Sequence, residues 1–223
     1  MTSFAKLMGQ RKLPIRVLGC PGLDIAKSVF QVHGVDAAGQ VILRRQLKRR
    51  WMRARIPENE PARLVSLRAL DLLDTEPEER FDRITRVATA LFNVPMATIT
   101  LVDERRQWFK SCQGTAGRED PRDASFCAHV VSNEEPMVVV DTLGDERFAD
   151  NPLVLGGPRI RFYAGYPLTL DDGSCVGTLC LLDTRPRTFE GLDLKQLRDL
   201  ALIVVEQFQV SKFGRVPLCR GKF

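Results

Sequence analysis

The chain has 223 residues, 44% hydrophobic and 27% charged, with a formal net charge of +5. That length suits one substantial globular domain plus a smaller piece. No apolar run approaches the ~20 residues needed to span a bilayer, and the N-terminus lacks the apolar core of a signal peptide, so the expected setting is the cytoplasm. The charge is unevenly placed. Residues 1–55 carry twelve Lys/Arg against two acids, and the remainder carries 21 against 26. The basic character therefore belongs to the first quarter and is no argument that the main body binds nucleic acid. Six scattered cysteines form no C-x-x-C pair. In a cytosolic chain they read as reduced, buried thiols, and with two histidines they argue against a structural zinc site.

In chain order, residues 1–13 are polar and basic. Val29–Val35 alternates, and Val41-Ile42-Leu43 follows the turn Asp36–Gly39, which predicts a hairpin. A hairpin alone is marginally stable. Gly22-Leu23-Asp24-Ile25-Ala26-Lys27-Ser28-Val29-Phe30-Gln31-Val32-His33-Gly34-Val35-Asp36, continuing to Arg44–Leu47, resembles the start of a family of insertion-sequence transposases. The resemblance implies a RuvC-like nuclease fold, with Asp24 as the first metal-binding acid. It stops after about 30 residues, and such chemistry needs several converging carboxylates. A remnant of a mobile element is the preferred reading of this head. Residues 48–57 read as a solvated basic linker, with contact to nucleic acid or an acidic surface as the alternative.

The main domain begins near Pro57. Asn59 is the expected N-cap of a helix carrying Leu64, Leu67, Leu70 and Leu73 and ending at Asp74-Thr75. Thr75–Glu78 reads as a capping box for a second helix carrying Phe81, Ile84, Ala88 and Leu91, stopped by Asn93 and Pro95. Strands follow over Met96–Val102 and Gln107–Cys112, then a long polar loop over Gln113–Asp123. Ala124–Asp141 joins a short helix to a buried strand at Met137–Asp141. Asp145–Pro152 predicts one helical turn. Phe162–Leu170 and Ser174–Asp183 predict a hairpin around Asp171-Asp172-Gly173, and Gly177 marks a bulge or close backbone approach. A last helix over Leu192–Gln209 carries Leu194, Leu197, Ala201, Val204 and Phe208 and is apolar nearly all round. Residues 211–223 form a basic tail.

This order predicts an α+β domain, an antiparallel sheet with helices mainly on one face. P-E-N-E-P-A-R-L at 57–64, L-D-L-L-D-T-E-P-E-E-R-F-D-R-I-T at 70–85, V-D-E-R-R-Q-W-F-K-S at 102–111, S-F-C-A-H at 125–129, R-F-A-D-N-P-L-V at 147–154, I-R-F-Y-A-G-Y-P-L at 160–168 and G-T-L-C-L-L-D-T-R-P-R at 177–187 together resemble a GAF domain. The similar subgroup sits at the N-terminus of bacterial sensor histidine kinases and diguanylate cyclases. The domains then read as residues 1–55, a transposase-like fragment and linker, residues 56–210, the GAF domain, and residues 211–223, the tail. The resemblance implies a non-catalytic, PAS-like sensory module that binds a small molecule, dimerises through its terminal helices and signals to a separate output, a histidine kinase or diguanylate cyclase in trans. It names no cofactor. It places the pocket between the sheet and the Ser125–Val131 helix, with Trp108, Ser111, Phe126, Cys127, His129, Phe162, Tyr163 and Tyr166 as candidate lining.

Each candidate has a plainer alternative. His129 is a ligand contact or pH-sensitive group, or a satisfied core histidine. Cys127 is a reactive or chromophore-bearing thiol, or a buried inert one; Ala128 breaks the Cys-His pair usual in bilin-binding relatives. Cys112, Cys127 and Cys180 would be tested for methionine sulfoxide reduction, although they sit on separate elements. Trp108 and the Phe162–Tyr166 aromatics are core or pocket. No P-loop, dinucleotide fingerprint or Ser/His/Asp arrangement is present.

Overall fold

The computed structural model describes residues 29–35, 41–48, 51–115 and 117–213. The chain divides into two compact units, Met1–Arg50 and Trp51–Phe223. In the first, β1 (Val29–Val35) and β2 (Val41–Lys48) pair antiparallel from Val29↔Lys48 to Gly34↔Leu43. The expected hairpin forms. Its turn, Asp24 and the rest of the transposase-like head lie outside the described residues.

The second unit opens with α1 (Glu60–Arg68) and α2 (Glu79–Phe92). The first helix ends at Arg68, five residues before Leu73, the last leucine of the predicted stripe. Asp71 and Asp74 adopt positive φ, and Thr75 Oγ1 donates to Leu72 O at 2.7 Å, so Leu70 and Leu72 are buried from an irregular turn. That bond occupies the Thr75 hydroxyl. The predicted capping box does not form, and Glu78 stands at the N-cap of α2 instead. Phe81, Ile84 and Ala88 are buried as expected, but Leu91 is 48% exposed, and Phe92 packs on the core in its place. Asn93 ends the helix in the left-handed conformation.

Next come β3 (Met96–Val102), β4 (Arg106–Gln113) and β5 (Glu119–Pro121). The predicted loop thus holds a short edge strand, which pairs with Arg106–Trp108. A single 3-10 turn leads into α3 (Phe126–Asn133), where Ser125 Oγ caps the helix by accepting from Ala128 N at 3.0 Å. Then follow β6 (Met137–Val139) and α4 (Pro152–Leu155), whose one turn begins where the predicted turn ends and is capped by Asn151. β7 (Phe162–Thr169), β8 (Cys175–Asp183) and α5 (Gly191–Phe213) complete the unit.

The six strands run β5-β4-β3-β8-β7-β6, every neighbour antiparallel. Side chains alternate across a strand, so the central β3 and β8 are buried on both faces. Ala97, Ile99, Leu101, Leu179 and Leu181 pack with α1, α2 and α5. Met96, Cys180 and Tyr163 pack on the other face with Phe126, Cys127 and Val130 of α3. Gly177 allows the central pairing to close, because a Cβ there would lie 2.0 Å from Thr100 O. On α5, Leu197, Ala201, Val204 and Phe208 are buried, while Leu192, Leu202 and Ile203 are exposed.

The segment expected to be a solvated linker is docked from Trp51 onward. Met52 N donates to Arg147 O at 3.1 Å, Trp51 Nε1 donates to Asp123 O at 2.9 Å, Arg53 pairs with Asp123 at 2.8 Å, and Ala54 packs on the α3-side core. Only one of these four attachments, the Arg53–Asp123 pair, uses a charge of the segment.

Candidate functional site

Between the sheet and α3 lies a cavity of about 390 Å³. β3 supplies Met96 and Thr98, β4 supplies Gln107 and Phe109, and β5 supplies Asp120. Tyr163 comes from β7, Cys180 and Leu182 from β8, and Phe126 and Cys127 from α3. Leu153 and the Gly157–Ile160 segment border its remaining side.

The walls are mainly apolar and aromatic, with one polar pair on β4 and β5 and a second polar cluster at the sheet centre. Gln107 Nε2 donates to Asp120 Oδ2 at 3.2 Å, and Ser125 Oγ donates to Gln107 Oε1. Because Ser125 also caps α3, a continuous hydrogen-bond chain links the cavity's carboxylate to the helix N-terminus. Burial raises the Asp120 pKa, opposed by the bond from Gln107. At the sheet centre Cys180 Sγ lies 3.0 Å from Thr98 Oγ1, 3.3 Å from Thr178 Oγ1 and 3.3 Å from Cys127 Sγ. Tyr163 OH donates to Cys127 Sγ at 3.5 Å. Phe126 stacks on Tyr163 with ring centroids 5.1 Å apart, and Gly165 leaves room for the Tyr163 phenol, which would stand 2.2 Å from any Cβ there.

Of the eight residues expected to line the pocket, Phe126, Cys127 and Tyr163 do so. The other five lie outside it. Phe162 and Tyr166 are set off from Tyr163 by odd steps along β7, so they face the α5-side core. Trp108 sits between the cavity residues Gln107 and Phe109 and likewise faces away. Ser111 lies beyond an irregularity in the β3–β4 register, between Ile99 and Thr100. Its Oγ donates to Asp82 Oδ1 at 2.6 Å and meets Thr85 Oγ1 at 2.8 Å. His129 lies on α3 but outside the cavity, under the docked N-terminal segment. Its Nε2 is 3.1 Å from Met52 O, a carbonyl that can only accept, so this nitrogen carries the proton. The ring stands edge-on to Phe148, and burial lowers its pKa. This is a satisfied, buried histidine.

Gln107, Asp120, Thr98 and Phe109 are the site residues that sequence reading missed. With Trp108 assigned to the core, strict alternation puts Gln107 and Phe109 on the cavity face. Among the described residues, no group of three or more His, Cys, Asp or Glu could hold a metal ion, and no helix is long and apolar enough to cross a membrane.

The GAF domain family model matches residues 76–207. Cyclic di-GMP phosphodiesterase PA2567 of Pseudomonas aeruginosa is 43% identical over 157 residues, 70% of this chain, but the match spans 27% of that protein's length. A family 20 transposase of the same organism is 66% identical over 32 residues, 14% of this chain and 10% of its own. Among solved structures, the GAF domain of an Acinetobacter phosphoenolpyruvate-protein phosphotransferase superposes with a TM-score of 0.53 at 17% identity, over 70% of this chain and 98% of that one. The free methionine-R-sulfoxide reductase of Neisseria meningitidis gives 0.52 at 18% identity, over 73% and 98%. At such identities the structural likeness bears on fold alone. The family match spans the sheet, the cavity-facing strands and α3 together, and the chain belongs to the GAF domain family.

Proposed function

We propose that the second unit is a sensory module that holds a small, mainly apolar molecule with one polar end. The observation that carries this reading is the cavity itself. Its size falls within the range of small-molecule pockets, its walls are mainly apolar, and the paired Asp120 and Gln107 can orient a hydrogen-bond donor. Occupancy would be relayed through α3, since the Gln107–Ser125 bond couples that pair to the helix cap. A ligand shifts a conformational balance only through differential contacts with the two states, and that hydrogen-bond chain is one such contact.

The output is proposed to be a histidine kinase or a cyclic di-GMP enzyme. The likeness to the phosphodiesterase supports a cyclic di-GMP setting. The exposed Leu202 and Ile203 on α5 are proposed to meet a second copy. Residues 56–210 would act without catalysing a reaction of their own. The test is a thermal-shift screen against small metabolites with wild type and Asp120→Asn. A ligand whose stabilisation shrinks in the variant supports the reading. A screen with no stabilising compound counts against it.

A second reading concerns the basic head. The short transposase match favours a mobile-element remnant fused to the module. Salt-dependent DNA binding together with metal-dependent cleavage would instead support a nuclease-related role, and loss of neither on Asp24→Ala would dismiss it.

A further inference from the structure

Cys127 and Cys180 are 53 positions apart in sequence, on α3 and β8, yet their sulfurs lie 3.3 Å apart. Both border the cavity. We propose that this pair is a modification site, oxidised to a reversible disulfide by a small hydroperoxide that enters the cavity. The proposal goes beyond the sensory reading and does not require a resident ligand.

The geometry is close to that of the product. A disulfide has S–S near 2.05 Å, so the sulfurs must approach by about 1.2 Å. The surroundings assign the roles. Cys180 Sγ lies 3.0, 3.6 and 3.3 Å from the hydroxyls of Thr98, Thr100 and Thr178, each able to donate to it, and as a thiol it can itself donate to Thr98 O at 3.7 Å. Hydroxyl donors stabilise a thiolate. Burial opposes ionisation of Cys180, but the bonds from Cys127 and the three threonines outweigh it and lower its pKa. Cys127, with fewer donors, is pushed up by burial. Cys180 is therefore the nucleophile and Cys127 the resolving thiol.

The step balances as follows. The Cys180 thiolate attacks the terminal (OH-bearing) peroxide oxygen, the O–O bond breaks, and the other oxygen leaves as alkoxide, or as hydroxide when the oxidant is hydrogen peroxide, and is protonated to the alcohol or to water. Cys180 is then a sulfenic acid. The Cys127 sulfur attacks Cys180 Sγ, the S–S bond forms, the S–O bond breaks, and the hydroxyl departs as water with the Cys127 proton. Two electrons pass from the thiol pair to the peroxide. The other described cysteines are placed differently. Cys112 Sγ is 3.9 Å from Thr115 O and from Gly117 O, and Cys175 Sγ donates to Gly177 O at 3.6 Å. Burial raises both of their pKa values.

The test uses the reduced full chain exposed to hydrogen peroxide, alkylated, digested and mapped by mass spectrometry. The expected result is a Cys127–Cys180 linked peptide that disappears on treatment with dithiothreitol. Alkylation of those two residues should fall by about tenfold relative to Cys175, whose thiol stays protonated. In Cys127→Ser, dimedone should trap a sulfenic acid on Cys180. The proposal is overturned if both thiols remain alkylatable while Cys112 oxidises, or if Cys180 links to a different cysteine. The wild-type map decides this even if the variant fails to fold.

Discussion

The Ser125 hydroxyl faces two ways: it donates to Gln107 Oε1 on β4 and accepts from Ala128 N on α3. One side chain thus fastens the helix that roofs the cavity to the strand that floors it. Ser125→Ala should lose the cap and orphan the buried Gln107 oxygen, at a cost of about 1–3 kcal/mol. Chemical denaturation measures that loss. Gln107→Ala should leave the cap but free Asp120, and so weaken ligand retention more than stability.

A second prediction concerns charge burial. Glu60 accepts from Arg63 Nε and Nη2 at 2.8 Å each and from Arg122 Nη1. Arg63 is fully buried. Burial raises the Glu60 pKa, but its bonds to Arg63 and Arg122 outweigh that and hold it at about 2. Glu60→Gln leaves two guanidiniums without their counter-charge and should cost about 3–5 kcal/mol. Because the folded pKa lies below the ordinary 4.5, this stabilisation is complete above pH 4.5 and is lost as pH falls toward 2. Denaturation midpoints across that window should fall steeply in wild type and less in Glu60→Gln.

His129 makes a separate pH prediction. Its folded pKa is lowered from the usual 6.5, chiefly by burial. The stability it contributes is present above pH 6.5 and is lost as pH falls below it, when the unfolded ring takes up a proton that the folded ring resists. Arg147 also disfavours the charged ring, while the Met52 bond and Asp145 favour it. His129→Gln should flatten the pH dependence of unfolding between 6.5 and the onset of the carboxylate transition. It should also loosen the Met52 segment, which hydrogen exchange at the Met52 amide would read.

Gly177→Ala tests the close approach of β3 and β8. Its Cβ would meet backbone, Thr100 O at 2.0 Å, so the strands rather than a side chain must yield. Destabilisation of about 1–3 kcal/mol is expected, read as a lowered midpoint of thermal unfolding.

Much of this fold was legible. Met96–Val102 reads as a strand because it is an unbroken apolar and β-branched run, and Asp171-Asp172-Gly173 marks the hairpin between β7 and β8 through Gly173, which takes φ +82°. β5 was missed because Glu119-Asp120-Pro121 has no strand propensity of its own and is held by pairing with β4. The candidate lining erred through proximity. Phe162 and Tyr163 are neighbours in sequence and opposites in space, and a cluster of aromatics says nothing about which face each one takes. The thiol pair was invisible for a different reason: a contact between positions 127 and 180 depends on tertiary packing that no local pattern encodes.

The central claim is that the cavity beside α3 holds a small molecule. Native mass spectrometry of the chain, before and after incubation with a metabolite set, tests it directly when wild type is compared with Thr98→Phe, which puts a ring into the space Thr98 borders. The account predicts a one-to-one adduct in wild type that is absent from a folded Thr98→Phe. Equal adducts in both proteins, or none in either, would contradict it.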